Sequence, residues 1–214
     1  MVIECWGEVL DMSPEAIEIK FIATPEKGKV SALLVWPPGA RFLLVLGHGA
    51  STNMRHSTLK TISERLADEA IATLRYNFPY MEPGGGGRSQ PVCVATVRSA
   101  VAAAHKTAPD LKLLAGGHSF GGRMTSTAYS EAPLDHVRGL VFFSFPLHQP
   151  GKPETRRADH LGAVSLPMLF LNGTTAGQSS LPADLHKSPG HRDIGPLYSR
   201  SNVAVLQIAR YSFP

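Results

Sequence analysis

The chain has 214 residues, enough for one α/β domain with a sizeable core, and 43% of them are hydrophobic, which excludes wholesale disorder. The formal net charge is +4, but the basic residues are scattered and Arg156-Arg157 is the densest pair, so the pattern argues against a nucleic-acid footprint. Cys5 and Cys93 form no CxxC pair and no Cys/His cluster has zinc spacing, which argues against a zinc module and fits a reducing compartment.

The chain opens on Met1-Val2-Ile3-Glu4-Cys5-Trp6, with neither a basic region nor an apolar run of the kind a secretory signal needs. No apolar stretch reaches 18 residues, so no transmembrane helix is expected. These features predict a cytoplasmic location and no membrane partner.

Ala16 to Ile22 alternates apolar and polar residues and predicts a half-buried strand. Val30 to Trp36 predicts a second, closed by Pro37-Pro38-Gly39, and the turn-like residues between the two make a hairpin. Phe42 to Leu46 is apolar on both faces, as a central strand covered by helices must be. It runs into Gly47-His48-Gly49-Ala50-Ser51. Such a turn puts backbone N–H groups at the carboxyl edge of the sheet, where open α/β sheets bind ligands. The other reading is a plain strand-to-helix loop with incidental glycines.

His56 to Glu69 carries Leu59, Ile62 and Leu66 at steps of three and four, an amphipathic helix. Ile71 to Tyr76 is the next strand. Asn77 to Arg88, with Phe78, Tyr80, Met81 and four glycines, predicts a long mobile loop that lines a pocket or covers the sheet edge. Val92 to Thr107 predicts a helix with Val94, Val97, Val101 and Ala104 or His105 on one side.

Lys112 to Ala115 predicts a strand that ends at Gly116-Gly117-His118-Ser119-Phe120-Gly121-Gly122, ahead of a helix from Arg123 to Glu131. Gly117 to Gly121 fits the G-x-S-x-G nucleophile elbow, in the strand–turn–helix setting that the motif requires. A turn this tight brings strand and helix too close for Cβ atoms, hence the glycines. The serine stands beside a helix N-terminus, whose free N–H groups favour negative charge. The competing reading makes Ser119 a helix cap. An oxyanion hole needs two donors: the N–H of Phe120, after the nucleophile, and one from the earlier turn, for which Ala50 is the candidate. Gly139 to Phe143, Pro167 to Gly173 and Val203 to Ala209 predict the remaining strands.

Four stretches resemble the α/β-hydrolase superfamily. They are Gly47-His48-Gly49-Ala50, Arg75 to Tyr80, Gly117 to Met124, and Phe145 to His148 with Pro150 to Pro153. The likeness is to small lidless members: the dienelactone-hydrolase-like proteins and the hydrolase-like domain of testis-expressed proteins and a chromatin-complex subunit. It covers about residues 30 to 174. It implies one α/β-hydrolase domain over 1–214, with a mostly parallel sheet, helices on both faces and no large lid. It implies Ser119 as nucleophile, an oxyanion hole from Ala50 and Phe120, and hydrolysis of an ester, thioester or lactone through an acyl-enzyme. The partner expected is a small ester-like molecule, with no metal and no cofactor.

Beyond Gly173 the sequence departs from that pattern. The triad order is Ser, then acid, then His. Gly173 to Gly177 holds no carboxylate, and Arg210 to Pro214 holds no histidine. Asp184, His186 and His191 are the replacements on offer, in a segment poor in large apolar residues. His48 and His118 stand near the site and read as loop-holding residues ahead of bases. His148 and His160 are loop residues with no placed partner. Residues 175–214 therefore read as divergent, with an altered reading frame as one hypothesis, and a catalytically impaired binding or scaffold module as the second functional reading. A nucleotide-binding protein is weaker, since the chain has no GxxxxGK[ST] and no GxGxxG at Ser119.

Overall fold

A computed structural model describes residues 14–146, 159–173 and 204–209. Strands β1 (Ile17–Thr24) and β2 (Gly28–Val35) form the expected hairpin. Strand β3 (Phe42–Gly47) leads to helix α1 (Ser57–Asp68), then strand β4 (Ile71–Tyr76) and helix α2 (Gln90–Thr107). Strand β5 (Lys112–His118), helix α3 (Phe120–Glu131), and strands β6 (Val137–Phe143), β7 (Met168–Gly173) and β8 (Ala204–Ala209) complete the order. The eight strands make one sheet in the order β1-β2-β4-β3-β5-β6-β7-β8.

The sheet is parallel from β4 through β7, and antiparallel where β1, β2 and β8 join. The carboxyl ends of five strands therefore share one edge. Alternation along β3 splits the core in two. Leu43 and Val45 pack toward α2 and α3, while Leu44 and Leu46 pack with Leu59 of α1. The helices thus cover both faces, as the apolar central strands demand. On α2 the packed side is Val94, Val97, Ala100, Val101 and Ala104, with small residues where helix backbones approach closely.

His56 caps α1, its ring nitrogen accepting the Thr58 N–H at 3.3 Å. Cys93 is a free buried thiol, and burial pushes its pKa up to about 11; Cys5 lies outside the described residues. Among the described residues no helix is long and apolar enough to cross a membrane, and no large lid covers the carboxyl edge.

The last strand runs against its neighbour. Strand β8 runs antiparallel to β7, with Gly173 opposite Ala204 and Met168 opposite Ala209. Gly173 and Ala204 therefore both stand at the carboxyl edge, while Ala209 points to the other edge. A catalytic residue placed just after the last strand, as the family order supposes, would leave from the wrong side of this sheet.

Candidate active site

Ser119 sits between β5 and α3 at φ 51°, ψ −111°. A side chain at positive φ is disfavoured by contact between Cβ and the backbone, so the turn holds it there by force. Hydrogen bonds on both sides fix the residue. The Ser119 N–H donates to Phe143 O at 2.8 Å, and Ser119 O accepts the Arg123 N–H at 3.2 Å. Its hydroxyl does not cap α3, which removes the capping reading.

Glycine makes the turn possible. A Cβ on Gly121 would lie 2.4 Å from the carbonyl carbon and oxygen of Gly47 and 2.8 Å from His48 O. One on Gly117 would lie 2.6 Å from Gly121 C and 2.7 Å from Gly47 O. The first turn of α3 thus packs backbone against backbone on the Gly47-His48 turn, so those glycines are not incidental. This contact brings the Ala50 loop and the start of α3 together. Among the described residues, neither the Ala50 N–H nor the Phe120 N–H has an acceptor.

His48 is fully buried and belongs to this scaffold. Its Nε2 accepts the Phe78 N–H at 3.1 Å, so Nδ1 carries the proton and donates to Gly49 O at 2.7 Å. Burial holds its pKa down at about 4. Both ring nitrogens are occupied, so His48 fastens the turn and does not serve as a base. His118 also packs on the turn: the Gly49 Cβ position lies 3.2 Å from its Nδ1, which has no hydrogen-bond partner among the described residues. Strand alternation from Leu114 sends His118 to the α1 face. His160 stands on the short 3₁₀ turn Asp159–Ala163, its Nε2 2.7 Å from the Ser126 hydroxyl. That hydroxyl donates to Arg123 O, so the imidazole donates and ties the turn to α3. Among the described residues, no imidazole is hydrogen-bonded to Ser119. Asp184, His186, His191 and His148 lie outside the described residues.

The Asn77–Arg88 loop is far more fixed at its start than its composition suggested. Phe78 is fully buried, with its ring centroid 4.9 Å from that of His48 and 5.6 Å from that of Phe120. Tyr80 stacks on Phe78 at 6.0 Å and approaches Phe120 edge-on. The Asn77 amide accepts the Met54 N–H at 2.9 Å and donates to Glu82 at 3.1 Å; Glu82 in turn accepts the Ser31 N–H at 2.7 Å. This bridge between β2 and the loop ahead of α1 was missed in the sequence. The only trace of it there is the polar pair Asn77 and Glu82 inside an aromatic run. Arg88 and Arg123 lie over the Phe120 ring at 5.0 and 5.5 Å, one residue along the chain from Ser119. Asn172, at the end of β7, accepts the Phe145 N–H at 2.9 Å, and pins a loop where the triad acid was expected.

A family profile described as an alpha/beta hydrolase domain matches residues 40–180, about two thirds of the chain. The chain belongs to the alpha/beta hydrolase family. Solved structures carry the same architecture. A dienelactone hydrolase from Anabaena variabilis superposes with a TM-score of 0.62 at 19% identity, over 76% of this chain and 74% of the other. An α/β serine hydrolase homologue from Coxiella burnetii gives 0.58 at 16% identity, over 76% and 74%. A lidless serine hydrolase from Xanthomonas campestris gives 0.55 at 17% identity, over 66% and 65%. At these identities the likeness is one of fold.

Proposed function

We propose that this alpha/beta hydrolase domain is a serine hydrolase that cleaves a carboxylic ester, thioester or lactone through an acyl-enzyme on Ser119. The observation that carries the reading is the strained Ser119 backbone at the start of α3, packed on the Gly47-His48 turn, with the Phe120 and Ala50 N–H groups lacking an acceptor among the described residues. In this reading the Ser119 Oγ adds to the substrate carbonyl carbon, and the Ala50 and Phe120 N–H groups hold the oxygen that becomes negative. Collapse breaks the C–O or C–S bond, the proton from the Ser119 hydroxyl ends on the leaving oxygen or sulfur, and an ester is left on Ser119; an alcohol or thiol departs, or in a lactone the alcohol stays tethered to the acyl group. Water then releases the acid.

A specific observation supports the second reading, a binding or scaffold module. No imidazole among the described residues reaches Ser119, and a serine without a base is a poor nucleophile. One experiment separates the two. A fluorophosphonate should label the wild type at Ser119, and Ser119→Ala should abolish both labelling and p-nitrophenyl acetate turnover, a loss of about 10³-fold or more. Equal turnover by the two proteins would leave the binding reading.

A further inference from the structure

On the α1 face of the sheet, away from α2 and α3, a cavity of about 260 Å³ lies between α1 and strands β2 and β4. Leu33 and Val35 form its apolar wall, and Arg55, Lys60, Arg75 and Glu64 supply its charge. Arg75 is the unusual member. It sits in the middle of the sheet on β4, paired in register with Leu33 and Leu46, and is only 4% exposed. A guanidinium cannot give up its proton at ordinary pH, so burial does not let it become neutral. Buried charges normally have a hydrogen-bonded counter-ion.

Arg75 has none among the described residues. Its Nη1 donates to Met54 O at 3.3 Å, and its Nε is buried without any partner. Glu64 is near enough to favour its charge, but that carboxylate is held by Lys60 at 3.5 Å. Arg55, which opposes the charge of Arg75, pairs with Glu18 at 2.5 Å. The two rim cations each have an acid, and the buried one is left over.

We propose that this cavity binds a small oxyanion, inorganic phosphate or the phosphoryl end of a compact organic molecule, on the Arg75 guanidinium. A guanidinium fork matches the spacing of two oxygens on such a group, and the Met54 carbonyl takes up only Nη1, which leaves the rest of the fork for the ligand. The volume falls below the roughly 300–1,000 Å³ of clefts for drug-sized ligands, so the ion or a small phosphomonoester fits and a larger body does not. Lys60 closes the mouth, where a mobile ammonium adds attraction without fixing geometry. The site is separate from Ser119 and stands whether or not the hydrolase reading does.

Calorimetric titration of the full chain with inorganic phosphate, and separately with phenyl phosphate, at constant ionic strength tests this. Saturable 1:1 binding is expected in the wild type and in Ser119→Ala. Arg75→Met should weaken it by at least about tenfold. Lys60→Met should weaken it a few-fold, and Glu64→Gln, which removes the carboxylate from the lining, should tighten it. Binding of phosphate but not phenyl phosphate assigns the free ion; binding of both assigns the phosphoryl group. Lys60 and Glu64 are surface residues, so their opposite shifts remain readable if Arg75→Met does not fold. Equal phosphate affinity in wild type, Lys60→Met and Glu64→Gln would overturn the proposal, as would the same saturable binding on titration with chloride.

Discussion

The turn at Ser119 and the cavity beneath α1 are built from opposite materials. At the turn, the groups proposed to face a negative charge are backbone amides, and the packing that holds their two loops together is backbone on backbone between Gly121 and Gly47. In the cavity, the charge sits on side chains, and the backbone only supplies a floor. The difference teaches what each can tolerate. A contact between two main chains has no rotamer to relax, so a single methyl breaks it. A cluster of long cations re-arranges, so its changes should be graded.

The sharpest way to break that contrast is Gly121→Ala. Its Cβ would lie 2.4 Å from main-chain atoms that cannot move alone, so a loss of more than about 4 kcal/mol, or no folded protein, is expected in urea denaturation. Gly87→Ala is the control: nothing lies within 4 Å of its Cβ position, and stability should change by less than about 0.5 kcal/mol. A small loss at Gly121 would mean that the turn can relax after all.

Next is the response to acid. The folded His48 pKa is about 4, below the ordinary 6.5, because burial disfavours the imidazolium. Between those values the unfolded chain binds the proton and the folded chain does not. The stability present above pH 6.5 is therefore lost as pH falls toward 4, by about 3 kcal/mol in all. Arg75 keeps its proton throughout that range and adds no such slope. Denaturation at a series of pH values checks this, and His48→Gln should flatten the curve.

Asn77→Ala follows, at about 1–3 kcal/mol, since it strands the buried Met54 N–H. The last change expected is a gain. Ser119→Gly relieves the positive φ and should stabilise the fold by roughly 1 kcal/mol while fluorophosphonate labelling is lost. A thermal melt alongside the labelling gel reads both.

Much of the fold was legible because it rests on local pattern. The apolar runs at Phe42 and Gly139, the period of α1, and the glycines about Ser119 each report their own element. The motif pointed to Ala50 and Phe120, and the packing of Gly121 on Gly47 shows why those two loops meet. What could not be read was pairing across the chain. Asn77 joins residues far apart in sequence through one amide, and nothing local marks it. His48 and His160 look alike as letters, yet one is a buried clasp on a turn and the other a donor to α3.

The sequence by itself determined that a serine stands on a glycine-lined bend between a buried strand and a helix, because steric limits on Cβ act over a few residues. Only the tertiary structure decided that β8 runs against β7 and that Arg75 is buried with no acid of its own among the described residues. Strand direction and counter-ion placement depend on which distant segments meet, and periodicity carries no record of that.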